Sequence, residues 1–291
     1  MEWLQQIVNG VFLGSIYALL ALGYTMVYGI IKLINFAHGD IYMIGAFMGS
    51  FLLARLHLPF FVSLILAMGI CALLGIMIEF LAYRPLRKST RIAALITAIG
   101  VSFFLENMMI YFFGSQTRAF PQAIKIKQFT VGGIQISNVQ VLILIVSLIL
   151  MLLLQLIVKK SKMGKAMRAV SVDSDAARLM GIDVNRTISF TFALGSALAG
   201  AAGVLIGLYY NSMDPLMGVV PGLKAFVAGV FGGIGIIPGA ALGGFAIGMI
   251  ETLTSASMLA NFRDAIVYGV LILILLVRPA GILGKNVKEK V

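Results

Sequence analysis

Between Val139 and Val158 the chain runs without a single charged residue, and a stretch of that length covers the roughly 30 Å of hydrocarbon in a bilayer. Inside lipid such a segment must satisfy every backbone N–H and C=O within itself, so it has to be helical. The pattern recurs. Ile7 to Ile31, Pro59 to Tyr83, Ile92 to Phe113, Thr187 to Leu208 and Phe262 to Val277 are all predominantly apolar. With 60% hydrophobic residues, 11% charged residues and 32 glycines, the composition lies outside the range of soluble domains and fits helices packed closely in lipid. The expected fold is all-α: a polytopic transmembrane helical bundle, one domain over residues 1–291, with about 8–10 membrane segments.

Charge sets the expected orientation. A polar island from Lys159 to Arg186 carries Lys159, Lys160, Lys162, Lys165, Arg168, Arg178 and Arg186 against Asp173, Asp175 and Asp183. An excess of bases in a loop between spans marks the cytoplasmic side. Arg84, Arg87, Lys88 and Arg91 fall on the same side by this rule, as does the tail 278–291 with Arg278, Lys285, Lys288 and Lys290. Residues 114–138 then form an external loop, the N-terminus lies outside and the C-terminus inside. The net charge of +11 is distributed over short loops rather than one continuous face, so it gives no reason to expect nucleic acid. The single cysteine, Cys71, can form no internal disulfide. The first span lacks a basic leader and a small-residue cleavage site, and reads as retained.

Two stretches break the simple pattern. Lys32 to Asp40 interrupts the apolar sequence before the shorter run Ile41 to Leu53. A non-helical stretch at membrane depth is tolerated where it is buried in protein or lines a water-filled cavity, which makes Asn35 to Asp40 a pathway candidate; an ordinary loop between two spans is the other reading. Leu223 to Ile250 is too rich in glycine for one span and holds Pro238 near its centre. A split at Ile237-Pro238 into a short inward piece and an outward helix also gives the final span the direction that puts the basic tail inside. Gly229, Gly233, Gly235, Gly239 and Gly243 in this run are expected to serve close helix packing at a subunit interface.

The sequence contains no catalytic constellation. With His38 and His57 as its two histidines, and without HExxH or GxSxG, it lacks the partners for a zinc site or an activated nucleophile. Gly164-Lys165-Ala166 and Gly284-Lys285-Asn286 lack both the upstream glycine and the Ser/Thr of a Walker A loop, so any ATP used must be hydrolysed by another chain. Ionisable groups inside spans are costly and mark pathways or paired structural sites. Glu106 and Asn107 in the fourth span have two readings, a polar patch facing a solute cavity, or a helix–helix hydrogen bond or interfacial carboxylate with no such role. Glu79 is expected to pair with Arg84 at the interface, and Glu251, Arg263 and Asp264 to pack or form salt bridges near the external side. In the island, Ala169, Val172, Ala176 and Leu179 share a 3-4-3 spacing, and Arg168, Ser171, Asp175 and Arg178 repeat it one residue earlier. That predicts a short amphipathic helix, stopped by Gly181, which is either a handle for a soluble partner or a helix lying on lipid headgroups.

Four stretches taken together resemble the membrane-spanning permeases of bacterial ABC importers for branched-chain amino acids: GSIYALLALGYTMVYGIIKLINFAHGDIYMIGAF, LAYRPLR, GKAMRAVSVDSDAARLMGIDV and GVFGGIGIIPGAALGG. They span the chain in the family's order. The resemblance implies a cytoplasmic-membrane permease for leucine, isoleucine and valine with no ATPase and no cofactor of its own. Implied partners are soluble ATP-binding subunits, a second permease and an external solute-binding protein. It assigns Gly164, Arg168, Ala169, Asp173, Ala176, Ala177 and Gly181 to a segment that couples to the ATPase, and places Asn35, Ala37, His38 and Gly39 on or beside the solute route. Related permeases carry urea or short amides. A stand-alone channel or ion-coupled carrier is the rival class, and would want several buried carboxylates where this sequence offers Glu106.

Overall fold

In the computed structural model, residues 2–87 and 89–284 are described; Lys88 and the tail lysines Lys285, Lys288 and Lys290 lie outside them. The described chain is built from helices: α1 (Glu2–Ile31), α2 (His38–Ala54), α3 (Phe60–Ile78), α4 (Arg91–Phe113), α5 (Asn138–Lys160), α6 (Lys162–Val172), α7 (Ser174–Leu179), α8 (Val184–Tyr210), α9 (Val219–Gly232), α10 (Ile237–Ser255) and α11 (Arg263–Val277). A π-helical stretch, Glu79–Tyr83, continues α3. Among the described residues seven helices are long and apolar enough to cross a membrane, and the shorter α2 and α9 pack among them. The protein is a polytopic helical membrane protein.

The bundle has a centre and a periphery. The apolar windows of α1 and α8 are 94% and 83% buried, against 6% for the segment containing α11. A helix apolar on all sides can be covered by neighbouring helices as well as by lipid, and α1 is enclosed by α8, α9 and α10. Small residues make this enclosure possible. Gly244 lies so close to α1 that a Cβ there would stand 2.3 Å from the Ala18 Cα, and one on Gly248 would stand 2.3 Å from the Gly14 Cα. Gly45 of α2 meets Gly200 of α8 in the same way. Without a hydrophobic force between helices in lipid, such close backbone approach supplies the association energy.

Contacts outside the spans sort the helix ends into two groups. At one end Gln5 bonds the backbone of Gln135 in both directions, 2.8 Å each. There β2 (Gln128–Val131) pairs antiparallel with β3 (Ile134–Ser137), and β1 (Arg118–Ala119) pairs with β4 (Ser212–Met213). At the other end Arg87 donates to Asn185 (2.7 Å), and Arg84 and Arg87 both grip the fully buried Glu79 carboxylate, with Ser189 donating to it at 2.7 Å. Side-chain caps fix where the chain enters its helices: Ser137 with Gln140 as a capping box on α5, Ser161 on α6, Asp173 on α7 and Asp183 on α8.

Three expectations change. The first break lies three residues earlier than Asn35 to Asp40, because His38, Gly39 and Asp40 already form the first turn of α2 and the non-helical residues are 32–37. The glycine-rich run does split, with α10 starting at Ile237 and Pro238 in its first turn, where the missing N–H costs nothing. Its glycines, however, pack within the chain. A Cβ on Gly239 would approach the Gly232 oxygen to 2.3 Å, one on Gly243 the Ala228 oxygen to 2.0 Å, and one on Gly229 the Thr25 hydroxyl to 3.1 Å. Gly233 and Gly235 take φ values of +106° and +86° at the turn between α9 and α10, a region that favours glycine. Finally, the island forms two helices, interrupted at Asp173.

Candidate functional site

Two helices begin side by side, one of them in the buried interior. After α1 ends, residues 32–37 carry the chain back alongside it, and α2 starts abreast of the interior of α1: the His38 ring nitrogen lies 3.2 Å from the Leu20 carbonyl and its imidazole sits edge-on to Tyr24 at 4.6 Å. Gly23 is what admits that ring, since a Cβ there would lie 2.4 Å from His38 Nε2. The N-terminus of α9 arrives at the same place, where a Cβ on Gly39 would stand 2.4 Å from the Gly218 oxygen and 3.1 Å from the Gly222 Cα. Neither helix start carries a side-chain cap: Ala37 precedes α2 and Gly218 precedes α9. Two N-termini without a side-chain cap, each with the positive end of a helix dipole, therefore meet here, that of α2 buried and that of α9 at an exposed edge where Val219 and Val220 are each 42% exposed.

Beside this junction is a cavity of about 220 Å³. Tyr24, Asp40, Ser102, Glu106, Gly218 and Gly222 line it, with Phe36, Ile99 and Leu223 on its apolar walls. Asp40 is 2% exposed and its Oδ2 has no hydrogen-bond partner. Of the residues expected on a solute route, Glu106 reaches the cavity while Asn107 lies on the exposed face of α4, its amide turned back to the Phe103 carbonyl at 2.8 Å. Asn35 is buried below the junction and accepts from the Tyr83 hydroxyl at 2.9 Å. Ala37 and Gly39 shape the entry of α2 rather than the cavity wall. Asp40, the last residue of the stretch that the sequence marks as a pathway candidate, is the one of that stretch besides Phe36 that reaches the cavity. It does so from the first turn of α2 rather than from a loop.

A second polar cluster lies between α9, α10, α11 and α1. Lys224, 2% exposed, places its Nζ 2.6 Å from Glu251 Oε1 and 2.7 Å from Asp264 Oδ1, and the Tyr17 hydroxyl donates to Glu251 Oε2 at 2.8 Å. The expected salt bridge at Glu251 and Asp264 is therefore made by Lys224, while Arg263 stays at 3.7 Å from Asp264. A lone lysine inside an apolar glycine-rich run was the signal that could have found it.

At the basic end, α6 and α7 form an elbow between α5 and α8. Gly164, Met167 and Val170 of α6 and Ala177 of α7 are buried, so the expected apolar face of Ala169, Val172, Ala176 and Leu179 is not the face that packs. Gly164 allows the contact, since a Cβ on it would stand 2.3 Å from the Ile157 and Val158 oxygens. Arg168 bonds the Val158 carbonyl and reaches the Lys159 carbonyl at 3.4 Å, closing the C-terminal end of α5. Asp173 accepts from the backbone N–H groups of Ala176 and Asp175, which hold its carboxyl below the usual range. Gly181, at φ +82°, ends the elbow. Val172, Leu179 and Met180 are left 84%, 89% and 83% exposed among Lys165, Asp175 and Arg178. Exposed apolar side chains rimmed by charge are the composition of a protein contact.

A bundle with this elbow and with a helix that starts inside it defines a membrane transport subunit. Residues 6–276 match the family described as branched-chain amino acid transport system / permease component, and the chain belongs to that family. It is 45% identical over 304 residues to the high-affinity branched-chain amino acid transport system permease protein LivH of Escherichia coli (strain K12), covering 100% of this chain and 98% of that protein. It is 43% identical over 302 residues to the corresponding BraD protein of Pseudomonas aeruginosa, with 100% and 98% covered. The probable branched-chain amino acid transport permease protein LivH of Methanocaldococcus jannaschii is 30% identical over 298 residues, with 97% and 92% covered. No solved structure matches the chain.

Proposed function

We propose that this chain is the permease subunit of an ATP-driven importer for leucine, isoleucine and valine in a bacterial cytoplasmic membrane. The observation that carries the proposal is the end-to-end similarity to permeases named for high-affinity branched-chain amino acid transport. The urea or short-amide alternative has no counterpart among these relatives. In this reading the N-terminus and residues 114–138 face outward, where a solute-binding protein delivers its cargo, and the basic elbow faces the cytoplasm. The grouping of helix ends agrees with that assignment, since Gln5 and Gln135 meet at one end and Arg87 and Asn185 at the other.

The elbow is the coupling device. Soluble ATP-binding subunits would grip Val172, Leu179 and Met180, and Gly164, Arg168 and Ala177 would pass their movement into α5 and α8. Ala169, Asp173, Ala176 and Gly181 complete the shape of the elbow. A second permease, identical or a sibling, would complete the solute path. Nucleotide is held by the partners, so this chain needs no cofactor. The spans then rock between outward-open and inward-open states as nucleotide binds and leaves.

Leu179→Asp tests this directly. The side chain is almost wholly exposed, so the change is expected to alter stability by no more than about 0.5 kcal/mol, yet to abolish both leucine uptake and co-purification of the ATP-hydrolysing subunits. Uptake measured in membrane vesicles depleted of ATP but holding a proton gradient is expected to stop. Uptake that continued there would establish an ion-coupled carrier instead.

A further inference from the structure

The cavity beside the meeting helix ends has a specific chemistry. Its wall holds two carboxylates, Asp40 and Glu106, and no lysine, arginine or histidine. Asp40 is buried to 2% exposure with an oxygen that no protein group satisfies. A buried acceptor without a donor is costly, and its natural complement is a ligand that brings a donor, most strongly a cationic one. Along the same wall is the start of α9 at Gly218 and Val219, which carries no side-chain cap; the Val219 N–H is taken up by the Leu216 carbonyl and Pro221 has none to offer, so what favours an anion there is the positive end of the helix dipole. Phe36, Ile99 and Leu223 line the remainder with apolar surface, on a side of the cavity that is open, since Ile99 and Leu223 are themselves exposed. At about 220 Å³ the space is below the roughly 300–1,000 Å³ of drug-sized sites and suits one small solute.

We propose that this cavity is a transient binding site for the transported amino acid within the permease itself: Asp40, helped by Glu106, receives the α-ammonium, the N-terminus of α9 receives the α-carboxylate, and the apolar wall receives the branched side chain. The inference rests on the function proposed above and specifies the ligand more sharply. A neutral amide lacks the cation that Asp40 requires, and an inorganic cation would make no use of the helix end or of the apolar wall. Broken helices whose N-termini face a bound carboxylate are a general solution to carrying zwitterions through lipid. Here the break at residues 32–37 places Asp40 opposite that helix end.

The test uses the importer assembled with its partner subunits. Ser102→Cys puts a thiol on the cavity wall, while the natural Cys71 is fully buried and contributes little background to alkylation by a small thiol reagent. Leucine is expected to slow alkylation of Cys at 102 about tenfold. Isocaproate, which lacks the ammonium, and isoamylamine, which lacks the carboxylate, are expected to leave it unchanged at the same concentration. Adding Asp40→Asn is expected to raise the leucine concentration needed for protection about 10- to 100-fold, the contribution of one charge-assisted hydrogen bond. If that variant fails to assemble with its partners, Glu106→Gln is expected to raise it in the same direction and serves in its place.

Equal protection by isocaproate, or unchanged protection in the assembled carboxylate variants, overturns the assignment. So does the absence of protection by leucine in vesicles whose wild-type importer takes leucine up, and that result leaves the transport function standing. A wild-type complex that imports no branched-chain amino acid removes both proposals together.

Discussion

Lys224→Met is expected to destabilise the folded chain by about 3–5 kcal/mol, the range for removing one partner of a buried ion pair. The reason is the carboxylate it leaves behind. Asp264 is 44% exposed at its side chain and can turn to solvent, whereas Glu251 is 8% exposed and would keep the Tyr17 hydroxyl as its one remaining side-chain partner. The double variant Lys224→Met with Glu251→Gln is expected to recover most of the loss, because a neutral amide at 251 can still accept from Tyr17 and the charge that remains, on the half-exposed Asp264, can be solvated. Thermal unfolding of the detergent-solubilised protein measures both. A midpoint unchanged by Lys224→Met would mean that the cluster does not tie α9 to α10 and α11.

Gly244→Val is the second large effect. Its Cβ would stand 2.3 Å from both the N and Cα of Ala18, so relief requires moving one backbone against another, in the central pairing of α1 with α10. Overpacking of a tight core costs about 1–3 kcal/mol and more where the obstacle cannot rotate away, which puts this site at the upper end. Gly69 is the matched control. It lies on α3, and a Cβ there would have nothing within 4 Å, so Gly69→Val is expected to leave the unfolding midpoint within a degree or two of wild type, as expected of a change that disturbs no packing. Equal losses from the two substitutions would show that glycine serves here through backbone flexibility rather than close approach.

The contrast between those glycines shows where sequence reasoning stops. Gly69 and Gly244 each sit in an apolar helix, and nothing local distinguishes them; which one touches another backbone depends on the neighbour that each helix acquires. The same limit explains the reading of the glycine run as a subunit contact, when Gly232 and Gly239 meet within one chain. It explains the elbow as well. Spacing identified Ala169, Val172, Ala176 and Leu179 as a stripe, but a helix break at Asp173 resets the phase, and Met167, Val170 and Ala177 turn inward instead.

Hydropathy, length and charge are properties of the chain in one dimension. They suffice for the long spans, for the split before Pro238, for the pairing of Glu79 with Arg84, and for which loops carry the bases, because the bilayer imposes the same thickness and polarity on every segment irrespective of its neighbours. Asp40 and Glu106 lining one cavity, Lys224 with Glu251, and the starts of α2 and α9 meeting at Gly39 and Gly218 are lateral relations between distant residues. Only packing decided them, since an unpaired polar group in an apolar interior is costly enough to be placed by the partner it finds rather than by its position along the chain.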